Sequence, residues 1–123
     1  MFEVIRPDVA FDHAAAARAA AECRRVARVL DGVLEQREAA ARHALARWSG
    51  VHAERFRDLH RQRQAAGAAH VVALHRHAAA IEATAARASA EQRARDRHNA
   101  AVRQAAEIRE PERSGFGLIP GRA

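Results

Sequence analysis

Two long segments of this chain, residues 12 to 47 and 52 to 110, contain no proline and one glycine each, Gly32 and Gly67. Between them stands Trp48-Ser49-Gly50, and that interruption constrains the fold more than any other feature. Segments built largely from alanine and arginine have high helix propensity, and two helices joined by a few residues must lie antiparallel as neighbours. Gly50 supplies the backbone freedom such a reversal needs, because it reaches positive φ without a Cβ penalty. Ser49 is placed to cap the second helix, and Glu54 falls in its first turns, where the helix dipole favours a negative charge. Trp48, the only tryptophan, is predicted to be substantially buried as the closure of the apolar seam, against Phe56.

The periodicity agrees with this hairpin. Residues 1–11 read as an extended lead-in, with Pro7 limiting helix and Asp12 as the N-cap. From there Ala16, Ala19, Cys23, Val26, Leu30, Val33, Arg37, Ala40 and Ala44 recur at alternating spacings of three and four, a heptad stripe that predicts helix one over 12–47. After a turn at 48–51, helix two is predicted over 52–110, with Phe56, Leu59, Val71, Leu74, Ala78, Ile81, Ala85 and Ala88 on one face. Cys23, Val26, Leu30, Val33, Val71, Leu74 and Ile81 are the expected seam, of the hairpin or of a dimer. Residues 91 to 99 are almost wholly polar. Pro111 is expected to end the helix, leaving 111–123 as a disordered tail.

The arms differ in length. At 1.5 Å per residue helix one would span about 54 Å and helix two about 87 Å, so residues beyond about Ala88 should overhang. Centring the turn between Ser49 and Gly50 places Gly32 opposite Gly67. Each costs about 1 kcal/mol relative to alanine in a helix, which suggests either a close approach of the two backbones or drift from alanine.

Alanine makes up about a quarter of the chain and aromatic residues only 4%. Such arms offer little bulk to bury, so a lone hairpin should be marginal and need a partner. The fold class expected is all-α: an antiparallel helical hairpin that dimerises into a four-helix bundle.

All 21 basic residues are arginine, and the net charge is +6. The excess concentrates near the turn, in Arg42, Arg47, Arg55, Arg57, Arg61 and Arg63, opposed there only by Glu54 and Asp58. That end would attract phosphates or acidic protein, although no aromatic cluster or Gly-rich loop accompanies it, so nucleic acid is not the expected partner. No catalytic constellation is present: Glu35, Glu38, Glu54 and Asp58 read as helix-surface partners of arginine, and no nucleophile has a positioned base. No two of the eight histidines are spaced i, i+4, so no metal site and no cofactor are expected. Cys23 alone excludes an intrachain disulfide. No stretch is apolar enough to span a membrane, and Met1-Phe2-Glu3-Val4-Ile5-Arg6-Pro7 lacks the pattern of a signal peptide, so a cytoplasmic location is expected.

Trp48, Gly50 and Phe56, set near the middle of an all-helical chain, resemble the WXG family, the early-secreted-antigen-like small hairpin proteins of type VII secretion. The likeness in layout runs from roughly Asp12 to Arg97. It implies a non-enzymatic substrate, co-substrate or escort of that secretion system, paired with itself or with a sister WXG-like protein and exported without a cleaved signal peptide. The chain departs from the family by having no tyrosine, and therefore no Tyr-x-x-x-Asp/Glu export signal for direct recognition by the secretion ATPase; a passenger or escort role, with the signal borne by the partner, stays open. The alternative reading is a basic helical protein that holds nucleic acid or another polyanion at the Arg-rich turn.

Overall fold

A computed structural model describes residues 4–118, with side chains through residue 109. It contains two helices, α1 (His13–Leu45) and α2 (Val51–Leu118). They belong to two compact units: Asp12–Ala85, and the described residues of 1–11 together with those of 86–123.

The first unit is a helical hairpin. Its α1 begins where Asp12 leaves extended backbone (φ −90°, ψ 91°), and the Asp12 carboxylate accepts the Ala15 N–H at 2.9 Å, satisfying one of the amides that a helix start leaves without an intrahelical partner. At the other end Ala46 is the C-cap, its N–H bonded to the Arg42 carbonyl. Arg42 and His43 lie in the last turn, where positive charge suits the dipole. Gly50 then adopts φ +101°, the left-handed region in which glycine carries no penalty. The first helical bond of α2 runs from the Glu54 N–H to the Gly50 carbonyl at 3.0 Å. The cap position therefore falls to Gly50, not to Ser49. Glu54 occupies the first turn of α2.

The interior of this hairpin is made of methyl groups. Ala20, Ala27 and Ala41 of α1 and Ala53, Val71 and Ala78 of α2 are buried, and no large side chain among the described residues is fully so. Cys23, Leu30, Val33, Leu74 and Ile81 are half-buried. The stripe on α1 is rotated from the expected one. Both share Cys23 and Leu30, but the structure buries Ala20, Ala27 and Ala41 where Ala19, Val26 and Ala40 were expected, and Val26 stays 37% exposed. Small residues let the helices approach, whereas valines on that line would hold them apart.

Antiparallel register is fixed by cross-helix contacts. Arg24 pairs with Glu82, the Gln64 side-chain amide donates to the Leu34 carbonyl at 2.9 Å, and His60 meets Glu38 at 2.8 Å. The mirrored-glycine expectation fails in part. Gly32 has open space around it, with no atom within 4 Å of where a Cβ would stand. Gly67 is covered by the Leu34 side chain, whose Cδ2 would lie 2.5 Å from such a Cβ. The close approach is one side chain seated on one glycine, not backbone on backbone.

In the second unit, residues 4–11 run without helix along the part of α2 that follows Ala86. The helix does not stop at Pro111: its backbone continues to Leu118. Proline removes one helical hydrogen bond and crowds the preceding turn, but its fixed φ is itself helical. Of the expected 111–123 tail, residues 119–123 lie outside the described residues. No helix among the described residues is long and apolar enough to cross a membrane.

Candidate functional site

Three surfaces carry the chemistry. At the turn, Trp48 follows the end of α1 and its ring sits 5.6 Å from that of Phe56, tilted by 47°. Phe56 in turn stacks on His60 at 6.0 Å with the planes 6° apart. The row ends in the hydrogen bond between His60 Nε2 and a Glu38 carboxylate oxygen. That bond, the largest cause, and the nearby charges of His60 and Arg42 hold the Glu38 carboxyl below the usual carboxylate range against the opposing effect of burial. Trp48 meets Phe56 as its sequence position suggested, but it remains 40% exposed. The correction has a local cause. Gly50 turns the chain at once into α2, so the indole is covered only in part.

Beside this row lies a cavity of about 530 Å³ whose lining includes Arg37, Ala41, Phe56, Leu59, His60 and Arg63. Arg37, the one charged member of the expected stripe, thus lines an opening between the helices. Around the same end Arg42, Arg47, Arg55, Arg57, Arg61 and Arg63 are all exposed. Only Arg61 makes an ion pair among the described residues, with Asp58 at 3.5 Å.

The second surface is apolar. Val26 and, at 56% exposure, Val29 stand open on α1, as does Val72 on α2. Around Val72 a shallow groove of about 480 Å³ is lined by Ala69, Ala73, Arg76, His77 and Ala80.

The third surface was not foreseen. In the second unit, the polar stretch after Ala88 holds the N-terminal segment. Asn99 brackets Arg6, accepting its N–H at 2.8 Å on Oδ1 and donating from Nδ2 to its carbonyl at 2.9 Å. Gln92 Oε1 accepts the Val9 N–H at 2.7 Å while Nε2 donates to the Asp8 carboxylate at 3.0 Å. Arg95 donates to the Pro7 carbonyl at 2.9 Å, and His98 Nε2 to that of Val4 at 3.0 Å. Arg95 stands three residues from Gln92 and from His98 and four from Asn99, so a single face of α2 carries the four side chains. Two are braced from the helix itself, Arg95 by Glu91 and Gln92 by Asp96. The signal in the sequence was the amide and guanidinium residues at those spacings, which the eye takes for a solvated surface.

Among the described residues no three His, Cys, Asp or Glu side chains gather as metal ligands would. Compared with known proteins, the chain matches no family model, no curated protein and no solved structure.

Proposed function

We propose that this chain is a non-enzymatic interaction protein whose hairpin completes its core against a second hairpin. One observation carries the reading: the interior holds alanine and a single valine, while Val26, Val29, Leu59 and Val72 are left on the outside. Each buried methyl or methylene group stabilises by about 0.8 kcal/mol, whereas ordering each residue's backbone costs about 1–2 kcal/mol. A two-helix arrangement with that interior gains little beyond its own helix propensity. Covering the exposed valines in a four-helix bundle supplies the missing apolar area.

The partner in this reading is a second copy or a sister WXG-like protein. The pair serves as substrate, co-substrate or escort in type VII secretion, with Trp48 as the face offered to the machinery. Gly50 at positive φ and the Trp48–Phe56 contact support it. The absence of tyrosine leaves the export signal to the partner.

A second reading rests on a separate observation: Arg47, Arg55, Arg57 and Arg63 are exposed and without ion pairs among the described residues. A polyanion could be held there, with affinity falling steeply as salt rises.

Native mass spectrometry of the chain purified from its own cells tests the first reading. A second small helical protein, or a second copy, should be bound, and Val26→Glu with Val72→Glu should release it while helicity is retained. A monomer unaffected by those changes, together with tight salt-dependent binding of duplex DNA, would favour the polyanion instead.

A further inference from the structure

We infer that the Gln92, Arg95, His98 and Asn99 face of α2 is a binding site for an extended main chain, and that it takes residues 4–9 of a second copy. The inference deepens the dimer reading above and rests on it. The argument begins with what the four side chains touch. Of the six hydrogen bonds that tie the segment down, five end on main-chain atoms of Val4, Arg6, Pro7 and Val9, and the sixth on the Asp8 carboxylate. This is recognition by backbone, as when a peptide is added to a sheet edge, performed here by side chains of a helix.

The segment's own side chains contribute little. Val4 and Ile5 are exposed hydrophobic residues, and Arg6, Pro7 and Asp8 are exposed as well. The site itself is built. Asn99 is only 6% exposed and has both halves of its amide satisfied by one residue of the segment. An amide with one acceptor and two donors suits a residue whose N–H and C=O point the same way, as they do in extended backbone. Pro7 keeps Arg6 extended, so the register is set by covalent structure.

A segment held this way is exchangeable. The same hydrogen bonds form whether residues 4–9 come from the same chain or from another, so the swap is nearly neutral in contacts, and exchange of identical elements is a low-cost route to dimers. Against a lone chain, tethering favours closure within the molecule. Once hairpins are paired, a second identical segment is present at comparable effective concentration, and the partner's segment competes for the site on equal terms.

Complementation of two full-length variants tests this. One carries Arg6→Pro and Val9→Pro, which remove the two amide donors from the segment and leave the site intact. The other carries Asn99→Leu and Gln92→Leu, which disable the site and leave the segment intact, and it alone is labelled with nitrogen-15. By itself, its Arg6 and Val9 amides should exchange with solvent as in an unstructured chain. On mixing with the unlabelled first variant they should slow at least tenfold, because an intact segment meets an intact site only between molecules. Unchanged exchange on mixing, with both variants helical by circular dichroism, would overturn the inference. Should either double variant lose helicity, Val9→Pro and Gln92→Leu repeat the test at one contact. Sedimentation of the wild type separates the two readings. A dimer whose mixed variants show no protection sinks the exchange and spares hairpin pairing, whereas a monomeric wild type contradicts pairing and exchange together, whatever the mixed variants show.

Discussion

Leu34 lies across Gly67: a Cβ built on that glycine would stand 2.5 Å from Leu34 Cδ2 and 3.2 Å from Cδ1. Gly32, its supposed mirror, has nothing within 4 Å. The two glycines should therefore answer differently to the same change. Gly32→Ala gains helix propensity without a clash and should stabilise the chain by about 1 kcal/mol. Gly67→Ala must rotate Leu34 away and should return less, while Gly67→Leu should destabilise by about 1–3 kcal/mol through overpacking. Urea melts of the three variants decide it. Equal gains from alanine at both positions would show that Leu34 does not sit where described.

Trp48 meets Phe56 in a tilted ring contact and remains 40% exposed. Loss of a fully buried tryptophan would cost about 3–5 kcal/mol. Here Trp48→Ala should cost about 1 kcal/mol, the range of a partly exposed aromatic pair. Thermal melts that show a loss above about 3 kcal/mol would mean that the indole is buried in solution, by a partner or by a closed turn.

The Glu38–His60 contact makes stability depend on acid. Glu38 is held below the ordinary carboxylate range, first by its hydrogen bond to His60. A carboxylate with a depressed folded-state pKa stabilises the fold above its unfolded value, about pH 4. That contribution disappears as pH falls through the lower folded value. The melting temperature should therefore fall as pH drops from about 5 to below 4. Glu38→Gln should flatten part of that slope, and Glu22→Gln a further part, since the hydrogen bond from Arg25 lowers Glu22 in the same way. Identical acid slopes for wild type and Glu38→Gln would remove this contact from the account.

Asn99→Leu should release the N-terminal segment without harming the hairpin, because the segment lies in the unit formed with the later part of α2 and the hairpin is a unit of its own. Amide exchange at Arg6 should lose its protection, while the helical melting transition moves by no more than about 1 kcal/mol. A large loss of helicity between residues 13 and 85 would show that the two units are not separable in this sense.

Much of the backbone was legible in the sequence. Asp12 announced the start of α1, Gly50 the turn and Glu54 the first turn of α2, because each follows from local chemistry that packing does not override. The seam was legible only by half. Cys23 and Leu30 belong to two overlapping stripes, and a reader guided by bulk chooses Val26 over Ala27. Close helix packing prefers the alanine, and that preference belongs to the pair of helices and not to either sequence segment. The clasp on residues 4–9 was not legible because Gln92 and Asn99 meet partners more than eighty residues away, with nothing local to mark the pairing. Pro111 misled for the opposite reason, as a strong local signal that the continuing helix outweighs.

The central claim is that this hairpin does not complete its own core, and the concentration dependence of its melting tests it most directly. Melts of the full chain from about 1 to 100 μM, paired with sedimentation equilibrium, should show a dimer whose melting temperature rises with concentration, as mass action requires when folding and association are linked. A cooperative melt of a monomer, unchanged across that range, would contradict the claim.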